Sequence, residues 1–227
     1  MAIKIIVSYD GTANEEDAIA LSRLFARAGA EVVLAYVRHN QATVSDTEAK
    51  ELLARGAALF GDPAVASFFV TGPSTPEALA ALAADQGAEL IVFCSDSHTA
   101  KGHVSVGNSA QRLIDGGETA VAIAPVDFAE RDPDDGIETV VAVGDGDGGA
   151  RETAAALAAA LGAEVAPVAN DQAGLLVLDS RADAEVGKVS ITSSASYLID
   201  VARCPVLVLA RSRPLAFGST SAPAHAA

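Results

Sequence analysis

The hydrophobic positions of this 227-residue chain fall into two alternating patterns. Short continuous apolar runs end at turn residues, and between them apolar residues recur every three or four positions. The runs of the first half are Ile3 to Val7, Glu31 to Val37, Ala66 to Val70, Glu89 to Cys94 and Thr119 to Ala124. Runs this uniformly apolar predict strands covered on both faces, as in a parallel sheet. The helical stretches are Glu15 to Ala28, Asp46 to Phe60, Pro76 to Gln86 and Asn108 to Ile114. In the first of them Ala18, Leu21, Leu24, Phe25 and Ala28 share one face. Asn14, Ser45 and Thr75 stand where N-caps are expected, and Gly29, Gly61 and Gly87 where helices stop. A polar loop, Ser95 to Val106, precedes the short fourth helix. Strands alternating with helices predict crossovers and a parallel α/β sheet.

The pattern then breaks and restarts. Residues 128–136 are acidic, with Pro133 and Gly136, and predict a linker. Beyond it lie strands at Thr139 to Val143, Glu164 to Val168, Leu175 to Leu178 and Val206 to Leu209, with helices at Arg151 to Leu161 and Ser193 to Val201. LFARAGAEVVLAYV in the first half matches LAAALGAEVAPVA in the second, and TAVAIAP matches CPVLVLA. These are internal repeats. The chain is thus divided into a complete unit (1–127), the linker (128–136), a shortened copy (137–211) and a tail (212–227) whose low-complexity composition predicts mobility. The copy lacks the helix and strand that fill residues 46–70 of the first unit. So small a core is marginal by itself, which predicts docking on the first unit.

Composition narrows the function. Fifteen Lys and Arg stand against 30 Asp and Glu, a formal net charge of -15. Such a chain is repelled by phosphate backbones and anionic lipid surfaces, which argues against nucleic acid and membrane partners. No stretch approaches the roughly 20 apolar residues of a membrane span. The N-terminus runs straight into a strand pattern with no signal-peptide character. Two cysteines, Cys94 and Cys204, make neither a disulfide framework nor a metal quartet. Together these features predict a cytoplasmic protein.

Four features in order resemble the universal stress protein family, in its tandem form. They are the Asp10-Gly11-Thr12 turn after the first strand, the Gly29 to Val32 step into the second, the long polar loop ending at Gly107, and the closing Cys204 to Val208 strand. The resemblance spans residues 3–211. It implies a doubly wound, adenine-nucleotide alpha-hydrolase-like α/β sheet of order 3-2-1-4-5 in the complete unit. It also implies pairing of the two units through their last strands, Thr119 to Ala124 antiparallel to Val206 to Leu209. A homodimer and a protein partner remain open.

Many members of that family bind ATP through a glycine, two residues, a second glycine, nine residues, a third glycine and then Ser or Thr. Glycines let backbone N–H groups approach phosphates, and the helix N-terminus that follows favours negative charge. Gly107 matches the third glycine, Cys94 and Ser97 stand at the other two, and Asn108 follows where Ser or Thr is usual. Asp96 adds a carboxylate beside the phosphate path, which His98, Lys101 and His103 could offset. Asp10 and Val37 match the family's base- and ribose-facing positions, against the plainer readings of a turn-capping Asp and a core Val. In the copy the aligned residues are Asp179, Ala182, Thr192 and Ser193, with no glycine. The resemblance therefore implies a stress-response binding or signalling module, with ATP or another adenine nucleotide held weakly or not at all in the first unit.

Other chemistry is less well supported. Gly144 to Gly149 (GDGDGG) matches a dinucleotide fingerprint, with Asp171 as the ribose-binding acid, but Asp145 and Asp147 would face the pyrophosphate. The same acids suggest calcium, yet Ala150 and Ala156 stand where an EF-hand needs Gly and an acid. His98 and His103 could share a metal, but solvated histidines are the plainer reading; His39 and His225 are expected on the surface. Cys94 ends a strand where a nucleophile could sit, against the plainer reading of an inert buried thiol. The alternative class is a small enzyme using a nucleotide or dinucleotide at the strand ends. No base and nucleophile pair at a telling spacing accompanies it.

Overall fold

The computed structural model describes residues 2–12, 14–39, 44–131, 136–144, 147–166 and 173–218. Asp145, Asp171, Val168, residues 132–135 of the linker and residues 219–227 of the tail, with His225, lie outside them.

The first unit contains β1 (Lys4–Ser8), α1 (Glu15–Arg27), β2 (Glu31–His39), α2 (Asp46–Phe60), β3 (Ala66–Gly72), α3 (Thr75–Gln86), β4 (Leu90–Cys94), α4 (Asn108–Ile114) and β5 (Ala120–Ala124). After a 3-10 turn at Phe128–Glu130, the second contains β6 (Thr139–Val143), α5 (Gly149–Leu161), β7 (Glu164–Ala166), β8 (Leu175–Leu178), α6 (Ser193–Val201) and β9 (Val206–Val208). One nine-stranded sheet runs β3-β2-β1-β4-β5-β9-β8-β6-β7. Every pairing is parallel except β5 with β9. The first half thus has the order 3-2-1-4-5 that the resemblance implied. The apolar runs are explained by cover on both faces. One core layer holds Phe25, Leu53 and Leu157 of α1, α2 and α5, and the other holds Leu79, Ile114 and Ile199 of α3, α4 and α6.

The seam is a pseudo-twofold. Val121 faces Val208, Ala122 faces Leu207 and Ile123 faces Val206, so the axis passes beside Ala122 and Leu207. Beside the strands, Val104 N–H donates to Ala202 O at 3.2 Å, and its counterpart Val189 N–H donates to Gly117 O at 2.7 Å. Such reciprocal contacts mark an isologous interface. Lys188 Nζ of the second unit also pairs with Glu118 of the first at 2.8 Å.

Local signals were partly right. Ser45 closes a capping box with Glu48, whose carboxyl the Ser45 backbone and hydroxyl hold below its usual range. The cap of α3 is Ser74, one residue before the expected Thr75. Asn14 makes no cap bond; its amide reaches across to Ser95 O and Asp96 O at 3.3 and 3.2 Å. The tail also differs from its composition. Leu215 and Phe217 are 2% and 6% exposed, and Phe217 lies 5.4 Å from Phe25 ring to ring. Gly218 N–H donates to Ala28 O at 2.8 Å. Residues 212–218 are therefore a packed strap from the second unit onto α1. Two apolar side chains anchor it, a local feature that low-complexity composition conceals. Among the described residues no helix is long and apolar enough to cross a membrane.

Candidate functional site

In a doubly wound sheet, ligands sit beyond the carboxyl ends of the strands where the strand order reverses, here between β1 and β4. Asp10 is exposed on the turn leaving β1, and its Oδ1 accepts from Thr12 N–H at 3.0 Å. Glu15, in the first turn of α1, folds back into the crevice and is only 4% exposed. Its Oε2 accepts from Asp10 N–H at 2.5 Å and from Gly11 N–H. Burial and the neighbouring Asp10 carboxyl push Glu15 up to about 9. Glu15 is therefore protonated at neutral pH and fills the backbone N–H pair from within the chain.

Cys94 ends β4 beside this pair. Burial, then the Glu15 carboxylate once ionised at high pH and the Asp10 carboxylate, push its thiol up to about 12, the opposite of nucleophile activation. Ser95 is buried and ties the loop down: its hydroxyl donates to Ala124 O at 2.7 Å and accepts from Ser105 N–H at 3.1 Å. Beyond it, Thr12, Cys94, Ser97, Gly107 and Asn108 help line a cleft of 270 Å³. Gly107 forms the extended cap of α4 without a side-chain bond. Four motif positions (Cys94, Ser97, Gly107 and Asn108) thus converge with Thr12. Asp10 stands on the neighbouring turn, and Val37 is buried two strands away, paired with Val70 in the core layer under α3.

Of the charged residues of the loop, Asp96 also lines the cleft, with its carboxyl engaged by the loop itself. Asp96 Oδ1 accepts from His98 N–H at 3.0 Å and meets His98 Nδ1 at 3.2 Å, and these contacts hold its carboxyl below its usual range. Lys101 pairs with Asp127 at 2.8 Å and Glu130 at 3.8 Å, so its charge is engaged outside the cleft. Among the described residues no group of His, Cys, Asp and Glu is arranged to hold a metal ion.

The second unit repeats the plan with a different plug. A Cβ on Gly144 would lie 2.5 Å from the Asp179 Cβ, so only glycine lets Asp179 lie there. Asp179 Oδ1 accepts from Ala150 N–H at 2.6 Å, at the start of α5. Burial pushes Asp179 above its usual range. Asp147 accepts from Gly149 N–H at 3.3 Å and Ser212 Oγ at 2.5 Å. Ser180 matches Ser95, donating to Leu209 O at 2.6 Å and accepting from Ser190 N–H at 3.0 Å.

Sequence reasoning missed Glu15, the Asn14 bridge and the two serine clasps. Aligning Ser95 to Ala110 on Ser180 to Ala195, which brings Gly102 onto Gly187 and Ser105 onto Ser190, would have revealed the clasps. Nothing in the sequence marks Glu15 as buried, because the first turn of a helix normally exposes its acids.

No family model and no curated protein matches the chain. Solved structures do match over both units. A universal stress protein from Archaeoglobus fulgidus DSM 4304 superposes with a TM-score of 0.70 at 14% identity, covering 92% of this chain and 98% of that one. A functionally unknown protein from Pseudomonas aeruginosa PAO1 gives 0.67 at 16% identity, covering 92% and 93%. The sheet order, the antiparallel seam and these superpositions agree: the chain has the universal stress protein fold, as a tandem of one complete and one shortened unit.

Proposed function

We propose that the protein is a cytoplasmic, non-enzymatic binding or signalling module of the universal stress protein type, whose strand-end crevices no longer hold ATP in the family manner. One observation carries this reading. In each unit a carboxyl group of the chain itself lies against the backbone N–H groups facing the crevice: Glu15 on Asp10 and Gly11, and Asp179 on Ala150. A nucleotide whose base and ribose enter beside β1, where the resemblance puts them, meets a side chain already bonded to those donors and must displace it. The missing glycines at Cys94 and Ser97 point the same way. Residual affinity for an adenine nucleotide is assigned to the cleft of Ser97, Gly107 and Asn108, with Asp10 at its edge.

The test is a thermal-shift screen with ATP, ADP, AMP and NAD at millimolar concentration, with mass analysis of any ligand carried through purification. No shift and no retained ligand are expected. ATP retained at molar stoichiometry overturns the reading. Any weak shift should vanish in Asp10→Ala; a shift that survives places the ligand elsewhere.

A further inference from the structure

The β5 and β9 edges are consumed by each other inside the chain, so assembly must use another surface. The sheet ends in β7 and β3, and the two ends differ. β7 has three residues and begins with Glu164, the short and charged form of edge that resists pairing. β3 has seven residues, ASFFVTG, with no charge and no proline. It pairs with β2 along its whole length, and among the described residues no strand covers its other side. A strand paired on one side leaves alternate N–H and C=O groups unpaired on the other, and natural edges are normally blunted by charge, Pro or a bulge. β3 has no such side chain.

Its sequence is also self-complementary. In an antiparallel pair centred on Phe69, Ser67 faces Thr71 of the other copy, Phe68 faces Val70, and Phe69 faces its own image. Hydroxyl with hydroxyl and aromatic with β-branched are favourable cross-strand pairs, and no like charges meet. Phe69 is fixed in place, stacked on Tyr36 at 6.1 Å with the Arg38 guanidinium 4.5 Å from its ring centre. We infer that a second copy of this chain docks edge to edge on β3, antiparallel about Phe69, extending the sheet across a true twofold axis. The chain already uses this mode at β5 and β9, where two units of one kind join antiparallel.

The test is sedimentation equilibrium of the wild-type chain and two double variants at exposed positions. Ser67→Glu/Thr71→Glu sets carboxylate against carboxylate twice in the proposed register. Ser67→Lys/Thr71→Glu sets lysine against glutamate twice. Glutamate at 71 still offers an acceptor to Arg38, which donates to Thr71 at 3.4 Å. The wild type is expected at twice the chain mass. The first variant should dimerise roughly tenfold more weakly and the second more tightly than the first, since cross-strand pairs contribute on the order of 0.2–1 kcal/mol each. Added salt should strengthen the wild-type dimer by screening two chains of charge -15. A wild type that stays monomeric at high concentration overturns the inference. So does a dimer that both variants leave unchanged, or weaken equally.

Discussion

The two units share one plan and are stabilised differently. The first covers its strands with α1 and α2 on one face and α3 and α4 on the other. The second links β7 to β8 through residues 167–174 alone, where the first uses residues 40–89 between β2 and β4. That stretch is too short for a helix, a strand and a second helix. What the second unit lacks internally it obtains from its neighbour: the β5–β9 ladder, the reciprocal loop bonds and the strap of residues 212–218. The lesson is that a repeat can lose cover on one side when a seam and a strap supply it on another.

The comparison is tested most severely by separation. Residues 137–218 expressed alone should show no cooperative thermal transition by circular dichroism, because β9 loses its partner and Phe217 its seat. A sharp independent melt would show that the second unit is self-sufficient. Residues 1–131 alone should fold and pair through the freed β5 edge as well as through β3, seen by light scattering as assemblies of more than two chains.

The next largest effect is expected at the strap. Phe217→Ala should cost about 3 kcal/mol, the usual scale for removing a buried aromatic ring. Urea unfolding should show it, still as a single transition, since both units lose a shared contact. A loss confined to a separate, low-urea transition would mean that the units unfold independently.

The serine clasps ask whether the pseudo-symmetry is energetic as well as geometric. Ser95→Ala and Ser180→Ala each leave a backbone N–H, of Ser105 or Ser190, without its acceptor. Each should cost about 1–3 kcal/mol. Losses that match within the error of unfolding curves support equivalence, and a large gap between them breaks it.

A dependence on pH separates the two crevices. Folded Glu15 titrates near 9, against an ordinary glutamate value of 4.5. The folded state thus binds this proton more tightly than the unfolded state. The stabilisation is full below about pH 4.5 and is lost as pH rises toward 9. Glu15→Gln keeps an acceptor for the Asp10 and Gly11 N–H groups and removes the proton dependence. The variant's Tm should exceed that of the wild type by a margin that grows from pH 6 to pH 9. Parallel Tm profiles would show that Glu15 does not carry the proton.

Much of this architecture is written locally. The strands, most helix limits and the repeat follow from apolar runs, caps and glycines, whose effects act within a few residues, while the first unit's sheet order came only from the family resemblance. Counting against the family's motif is local too, and it puts Cys94, Ser97 and Asp179 where glycines are usual. Other features depend on distant parts of the chain. Asn14 looks like a helix cap until the β4 loop offers it two carbonyls. Glu15 looks like a solvated first-turn acid until the crevice closes over it. Leu215 and Phe217 look like tail until α1 and α5 give them somewhere to pack. The sequence by itself determined two α/β units, because periodicity and turn chemistry are properties of neighbouring residues. Only the tertiary structure decided that each crevice holds its own carboxyl group and that β3 is the end strand of the sheet. Burial and the pairing of polar groups are settled by whatever the fold brings alongside.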